Sequence, residues 1–232
     1  MEMDAPSFIE RLLPLYQGPT VKITIRPAEK EYTVLKNLIC EVSPVFKAMF
    51  NGQFGEAHQL TLDLEEMEDV LSVRSLEAFL QWLHLRSIKF DIKDPTENIS
   101  AAIELARLGD KYDIREMETT ISEYIKEILV TNPNVKEVLS KRYSHLITRD
   151  HIISATVLSR ENPVRQLMVV ACAREYVLSR EYRFAELLEE YPSIGVDILR
   201  EVGIFLNKME YQANRPSFDD PIDGEKWIFN RF

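Results

Sequence analysis

Hydrophobic and polar residues alternate along two short runs near the start of the chain. Apolar side chains occupy every second position of TVKITI, residues 20–25, and the alternation resumes in YTV, residues 32–34, after the turn-forming segment RPAEKE. A period of two predicts half-buried β-strands, and two such runs joined by a short turn predict an antiparallel hairpin. A third strand is predicted in LTLDL, residues 60–64.

A short helix is predicted between the hairpin and the third strand, in SPVFKAMFNG, residues 43–52. Ser43 is a good N-cap, and Pro44 takes the first helical position, where its missing N–H costs nothing. Asn51 and Gly52 then end the helix. Four apolar residues at helical spacing are predicted to pack in the core: Val45, Phe46, Met49 and Phe50.

From residue 74 onward the hydrophobic period changes to that of a helix. Successive apolar stripes begin at Leu76, Ile99 and Ile114, with SIKFDI, residues 87–92, predicted to add a short edge strand. Beyond TNPN, residues 131–134, the pattern stays helical and no strand is evident. These patterns predict an α+β fold, in which helices cluster on a small sheet, followed by an all-α C-terminal region.

The end of the chain, residues 214–232, is rich in Pro and Asp but closes with Trp227, Ile228, Phe229 and Phe232. Such a segment is either flexible or folded back onto the helices. A docked terminus is the commoner fate of so much aromatic surface, so docking is the prediction.

Composition bounds the number of domains and the kinds of partner. The chain has 232 residues, of which 45% are hydrophobic, enough for one or two compact cores. Lys and Arg number 28 against 38 Asp and Glu, which gives a formal net charge of -10. Because this charge repels phosphate backbones and anionic lipid heads, we expect no direct binding to nucleic acid or to membranes.

The cellular compartment is inferred from the cysteines and the start of the chain. Cys40 and Cys172 are far apart in apolar neighbourhoods, which favours two buried thiols in a reducing compartment. The N-terminus is acidic where a secretory signal is basic, and no apolar run approaches the roughly 20 residues that span a membrane. We therefore expect a cytoplasmic or nuclear protein, or one present in both.

The motifs of common catalysts and cofactor sites are missing from the sequence. Four histidines and two cysteines do not form paired metal ligands or HExxH, and GxGxxG, the P-loop pattern and GxSxG do not occur. We expect no metal, no cofactor and no enzymatic activity. The alternative, a hydrolase with Cys40 or Cys172 as nucleophile, requires an exposed thiol of lowered pKa beside a base.

The order of elements resembles that of the BTB/POZ domain. The resemblance covers about residues 19–130 and rests on the hairpin, the helix SPVFKAMF, the third strand, LEAFLQWLH, and AIELARLGDKYDI followed by a long amphipathic helix. It implies an α+β fold in which helices cap a small sheet. It also implies protein recognition, by dimer formation, corepressor binding or presentation of substrates to cullin-based ubiquitin ligases.

One family feature is carried onto this chain by the resemblance. Cullin-binding members have a hydrophobic residue, any residue, then Glu after the SPVFKAMF helix, and here Phe54, Gly55 and Glu56 stand in that order. An aromatic side chain beside a carboxylate on an exposed loop can enter a partner's groove while the charge orients it. The alternative is that Phe54 folds down onto its own domain.

The residues after the BTB/POZ-like segment do not decide between two functional hypotheses. Residues 131–213 are predicted to form a helical extension and 214–232 a tail, and HIISATVL and NPVRQLMVVACAREYVL resemble segments of short fungal BTB proteins. The first hypothesis is an adaptor that presents a client protein to a cullin-RING ubiquitin ligase. The second is a self-associating, homodimeric scaffold or a transcription-related interaction protein that has no ligase role.

Overall fold

The computed structural model describes residues 12–52, 55–131, 146–178, 184–212, 215–224 and 226–228. The described residues group into two compact units. The first comprises residues up to Phe90 together with Glu104–Thr120, and the second comprises Asp91–Ile103 with the residues from Ile121 onward. The domain boundaries predicted near residues 131 and 214 stay a prediction.

A three-stranded mixed sheet lies in the first unit. Strands β1 (Thr20–Arg26) and β2 (Lys30–Leu35) form the predicted antiparallel hairpin. Strand β3 (Thr61–Glu65) pairs with β1 in the parallel direction, so the order is β2-β1-β3. Strand β2 ends beside the start of β1, and β3 begins at that same end on the other side of β1. The short helices between β2 and β3 therefore carry the chain from one edge of the sheet to the other.

The helices of the first unit bury one side of that sheet. They are α1 (Lys36–Val42), α2 (Pro44–Asn51), α3 (Gly55–Gln59), α4 (Val73–Leu85) and parts of α5 (Pro95–Lys111) and α6 (Arg115–Thr131). Val21, Ile23 and Ile25 of β1 have no exposed surface, as their alternation predicted. A buried carboxylate, Glu104 of α5, accepts hydrogen bonds from Ser72, the N-cap of α4, and from Arg74.

The predicted edge strand at SIKFDI is wrong. Residues 87–92 form no strand, although Ile88 and Phe90 are buried. The backbone N–H of Lys89 donates to Oε1 of Gln81 in α4 at 2.9 Å instead of to a neighbouring strand. The segment therefore buries Ile88 and Phe90 without joining the sheet.

Within the described ranges, four further helices belong to the second unit. They are α7 (Arg149–Thr156), α8 (Pro163–Leu178), α9 (Ala185–Glu190) and α10 (Pro192–Lys208). Helix α8 packs against α7 and α10, and α9 packs against α10. The apolar residues Val164 and Met168 of α8 and Ile198 and Phe205 of α10 are buried.

Three short strands follow α10, and the expectation that no strand occurs there is wrong. Strands β4 (Glu210–Gln212), β5 (Arg215–Asp219) and β6 (Lys226–Ile228) pair in an antiparallel order. Strands of three to five residues are too short to show a period of two in a Pro- and Asp-rich segment. The predicted helical C-terminal region is present, and the α+β class is confirmed by the mixed sheet and the helices around it.

The described part of the tail packs onto the second unit, whereas the aromatic end on which the docking prediction depends is not tested. Phe218 and Ile222 are buried, and the ring of Phe218 lies 5.6 Å from that of Phe205 in α10. The side chains of Trp227 and Ile228, and residues 229–232, lie outside the described residues. Among the helices of the described ranges, none combines the length and the apolar character needed to cross a membrane.

A buried ion pair joins the tail to α8. Arg174 Nε donates to Asp220 Oδ2 at 2.5 Å, and the two side chains are 1% and 0% exposed. The other carboxylate oxygen of Asp220 accepts a hydrogen bond from the backbone N–H of Ile222 at 2.9 Å. Removing one charge of such a pair leaves the other charge buried without this partner.

We expect Asp220→Leu to lower the free energy of unfolding of the second unit by about 3–5 kcal/mol, because the Arg174 guanidinium stays buried. Urea denaturation of the intact chain, followed by circular dichroism, measures this. Arg174→Met combined with Asp220→Leu should recover most of the loss. The control, Glu190→Leu, breaks the half-exposed pair with Arg149 and should cost about 1 kcal/mol or less. Equal losses of stability in Asp220→Leu and Glu190→Leu would contradict a special cost of leaving Arg174 buried.

Candidate functional site

Helix α2 is anchored by its N-cap residue. Ser43 has no exposed surface, and its hydroxyl oxygen accepts a hydrogen bond from the backbone N–H of Phe46 at 3.1 Å. The same hydroxyl donates to the backbone oxygen of Tyr112 at 2.5 Å. One predicted cap therefore also ties α2 to the segment between α5 and α6.

Phe46 is the aromatic centre of the first unit. Its ring lies 4.6 Å from that of Tyr112, 6.1 Å from Phe79 and 6.4 Å from Phe50, in stacked orientations. Phe46 and Phe50 are each 1% exposed, which confirms that they are core residues. The same prediction is wrong for the other two members of the set, since Val45 and Met49 are only half-buried.

Val45 and Met49 instead line a surface groove of about 620 Å³. Pro44 and Ala48 of the same helix complete its apolar wall. Residues 45, 48 and 49 are spaced so that they share one face of α2, beside the face that carries Phe46 and Phe50. The helix therefore has two apolar faces, of which one enters the core and the other faces the groove.

Two carboxylates, Glu56 and Asp113, lie on the rim of the groove. Glu56 is in the first turn of α3, and Asp113 is between α5 and α6 with a positive φ of 52°. Asp tolerates this left-handed conformation better than most residues. Asp113 accepts a hydrogen bond from Arg115 Nε at 2.8 Å, which raises the pKa of the Arg115 guanidinium.

Gly109 of α5 lies close to Met117 of α6 near this rim. A Cβ atom at this position would lie 3.0 Å from the terminal methyl carbon of Met117. The turn is closed by a hydrogen bond from the backbone N–H of Ile114 to the oxygen of Gly109 at 2.8 Å. Burial, together with the charge of Asp113, raises the pKa of Asp110 in the same turn.

The structure brings part of the predicted site to this groove. Glu56 lines it, Gly55 begins α3 beside it, and Phe54 lies outside the described residues. The sequence analysis missed Val45, Ala48 and Met49 as surface residues, although their spacing of three and four was a usable signal. It also missed Asp113, which reaches the groove from a turn distant in sequence.

Comparison of the sequence with protein-family models identifies the fold of the first part of the chain. The BTB/POZ domain family model matches residues 15–129, which include β1–β3, α1–α5 and nearly all of α6. Residues 15–129 of this chain are a BTB/POZ domain. No curated protein matches the sequence well enough to count as a relative. As a BTB/POZ protein, the chain is a protein–protein interaction module, from a family that is not typically enzymatic.

The cysteines of this BTB/POZ protein do not meet the requirements of a nucleophile. Cys40 and Cys172 are both buried, as predicted. Burial is the main reason that the pKa of the Cys40 thiol is raised, where a nucleophile needs a lowered one. Within the described ranges, no group of three or more His, Cys, Asp or Glu side chains is placed to hold a metal ion.

Ser100 and His151 are spaced like a serine nucleophile and its histidine base. Ser100 Oγ lies 2.8 Å from His151 Nε2. However, His151 Nδ1 accepts a hydrogen bond from the backbone N–H of Thr148, so Nε2 carries the hydrogen and donates it to the serine oxygen. The serine hydroxyl in turn donates to the backbone oxygen of Thr96. In this arrangement the imidazole is a structural donor and cannot accept the serine proton.

Ser43→Ala is expected to lower the free energy of unfolding by about 1–3 kcal/mol, because it removes the α2 cap and leaves the buried Tyr112 oxygen without its donor. Urea denaturation measures the loss. Ser87→Ala, at an exposed serine in the same unit, is the control and should change the stability by less than about 0.5 kcal/mol. A Ser43→Ala variant as stable as this control would show that the two hydrogen bonds contribute little.

His151 should make stability depend on pH. Burial lowers the pKa of the folded His151 imidazole below its ordinary value of about 6.5, so below that pH the unfolded chain binds a proton that the folded chain does not. Stability should therefore fall as the pH is lowered from 7.5 to 5.5. Thermal unfolding across this range should show a smaller decrease for His151→Gln than for the wild type. His84→Gln, at an exposed histidine, should keep the wild-type dependence.

Proposed function

We propose that this BTB/POZ protein is an adaptor that binds a cullin through the groove of α2 and presents a client protein to a cullin-RING ubiquitin ligase. The observation that carries the proposal is the groove itself, an apolar wall formed by Val45, Ala48 and Met49 with Glu56 on its rim. The Phe54-Gly55-Glu56 sequence, which resembles the cullin-binding pattern, leads directly into this rim.

Because its wall is apolar, the groove favours a partner that inserts an apolar side chain or covers the wall with an apolar surface. Burial of apolar surface at the centre of an interface supplies most of the binding free energy, and charged residues at the rim set orientation. Glu56 and Asp113 are both acidic and half-buried, so they favour a partner whose matching rim is basic. Asp113 is already paired with Arg115, so Glu56 is the stronger candidate for contact with such a partner.

The helical residues beyond the BTB/POZ domain are proposed to select the client. Helices α7–α10 and the docked tail belong to the second unit, which also includes Asp91–Ile103 and the end of α6 from the BTB/POZ domain. An adaptor needs one surface for the ligase and another for its client. The second unit is available for the latter role, in the cytoplasm or the nucleus.

A homodimeric scaffold is the second candidate, and exposed apolar residues on α10 favour it. Val196, Leu199 and Leu206 are 43%, 63% and 55% exposed. They share a helical face with Gly203, where an added Cβ would meet no atom within 4 Å. Such a face would be covered if two copies packed together.

The adaptor proposal predicts that Glu56→Lys and Phe54→Ala each weaken binding to a cullin N-terminal domain by about 1–3 kcal/mol, because each removes an anchor at the interface. Isothermal titration calorimetry measures the affinity. The matched control is Glu65→Lys, which makes the same charge change at an exposed residue of β3 outside the groove.

Cullin binding that is unchanged in Glu56→Lys and Met49→Lys would place the contact elsewhere. A wild-type protein that binds no cullin would refute the adaptor proposal. Sedimentation velocity then tests the scaffold, for which a dimer converted to a monomer by Leu199→Asp is the expected result.

A further inference from the structure

His151 connects the start of α7 to α5 through both nitrogens of its imidazole ring. The residue is 3% exposed. Nδ1 accepts a hydrogen bond from the backbone N–H of Thr148 at 3.2 Å, and Nε2 lies 2.8 Å from Ser100 Oγ in α5. Ser100 belongs to the BTB/POZ domain, whereas His151 belongs to the residues that follow it. This contact is independent of the groove on α2 and of binding to a cullin.

The start of α7 is held by a capping box in which histidine takes the place of the usual Glu or Gln. Thr148 is the N-cap, and its hydroxyl oxygen accepts a hydrogen bond from the backbone N–H of His151 at 3.3 Å. The His151 ring completes the box when it accepts the N–H of Thr148. Glu and Gln always offer an acceptor oxygen at this position, but Nδ1 of histidine accepts only while the ring is neutral.

Protonation of the ring acts directly on this capping box. The added proton must go to Nδ1, since Nε2 already carries the hydrogen that it donates to Ser100. The new N–H of Nδ1 would then face the backbone N–H of Thr148, so that two donors meet. The positive charge would also lie in the first turn of α7, near the positive end of the helix dipole. Protonation therefore breaks half of the capping box and disfavours the first turn.

Two neighbours favour the protonated ring, and burial opposes it. Asp150, which is exposed on α7, acts through its negative charge, and the backbone oxygen of Thr96 in α5 acts as a hydrogen-bond acceptor. Burial has the larger effect and lowers the pKa of the His151 imidazole below its ordinary value. In the folded protein the ring is therefore neutral at pH values where an exposed histidine is already partly protonated.

Other charged side chains on the helices around the ring are engaged elsewhere or lie in solvent. Arg149 of α7 pairs with Glu190 of α9. Arg165 of α8 donates to backbone oxygens at the opposite end of α7. On α5, Glu97 is exposed in the first turn, and Glu104 accepts hydrogen bonds from the start of α4. Because solvent or other partners screen these charges, burial dominates at the ring.

Two apolar residues lie directly before the capping box. Leu146 and Ile147 are 3% and 2% exposed. Apolar residues next to an N-cap fix the direction in which the chain enters the helix, and a helix that loses its cap frays from that end. Opening of the box would therefore expose this apolar pair at the point where the extension contacts α5.

We propose that His151 is a proton-operated latch, in which the neutral ring holds the start of α7 against α5 and protonation at Nδ1 opens residues 146–152 while the rest of the unit stays folded. The latch opens progressively as the pH falls below about 6.5, the pKa of an exposed histidine, because the open segment binds a proton that the closed segment does not. Above that pH the latch is closed. Acidification thus exposes an apolar segment beside the BTB/POZ domain.

Hydrogen–deuterium exchange with mass spectrometry tests the latch in the intact chain at about pH 7.5, 6.5 and 5.5, after correction for the intrinsic exchange rate at each pH. We expect the amides of residues 148–155 to lose protection by up to about tenfold per pH unit below 6.5, because opening binds one proton. The amides of residues 166–173 in α8 should keep their protection. Unchanged protection in α7, or equal loss in α7 and α8, would overturn the proposal.

Three variants separate the cap from the proton. In His151→Gln the amide oxygen accepts the Thr148 N–H as in a standard capping box but does not titrate, so α7 should stay protected at every pH. Ser100→Ala removes only the partner of Nε2 and should keep the pH dependence. His84→Gln, at an exposed histidine of α4, is the control and should behave as the wild type. Opening below pH 6.5 that persists in His151→Gln, or that disappears in Ser100→Ala, would contradict protonation at Nδ1.

A long-range ¹H–¹⁵N NMR spectrum of the protein labelled with ¹⁵N-histidine reads the ring directly. The His151 signals are identified by their loss in His151→Gln. At about pH 7.5 we expect a neutral ring with its hydrogen on Nε2, since Nδ1 accepts the Thr148 N–H. A neutral ring with its hydrogen on Nδ1, or a ring that is already protonated at this pH, would also overturn the proposal.

Discussion

The rotation of α2 about its axis depends on Phe46, and the candidate site depends on that rotation. Stacking against Tyr112, Phe79 and Phe50 directs Phe46 into the core, while the Ser43 hydroxyl fixes the start of the helix against the Tyr112 backbone. With Phe46 inward, Val45 and Met49 must face outward, because consecutive helical positions differ by about 100°. The apolar groove is therefore a direct consequence of core packing, and it persists for as long as the aromatic cluster does.

Local signals in the sequence predicted the hairpin, the Ser43 cap and the helical stripes, because each depends on neighbouring residues. The parallel pairing of β3 with β1 and the position of Asp113 at the groove were not predictable in this way, since both depend on contacts between distant segments. SIKFDI has the pattern of a strand, but the backbone N–H of Lys89 donates to the Gln81 side chain and not to a neighbouring strand. The sequence pattern did not separate the two apolar faces of α2, so Val45 and Met49 were predicted to lie in the core with Phe46 and Phe50.

Buried charge explains why the second unit was harder to predict than the first. Charged residues are normally read as exposed, yet Arg165 and Arg174 are almost completely buried and each has a carboxylate partner from a different element. Partners 32 and 46 residues away in sequence leave no local pattern. A buried pair contributes less to net stability than an apolar core does, but it penalises every alternative packing in which one charge loses its partner. The Arg174–Asp220 pair fixes the position of the docked tail in this way.

The groove combines an apolar wall with carboxylates, and the two act over different distances. Glu56 and Asp113 lie on its rim, and Asp113 is already paired with Arg115. The net charge of -10 attracts a basic partner at low salt, but at physiological salt this attraction is screened beyond about 8 Å. A partner of the groove would therefore be recognised mainly by contact with Val45, Ala48 and Met49, because burial of an apolar wall does not depend on salt in this way.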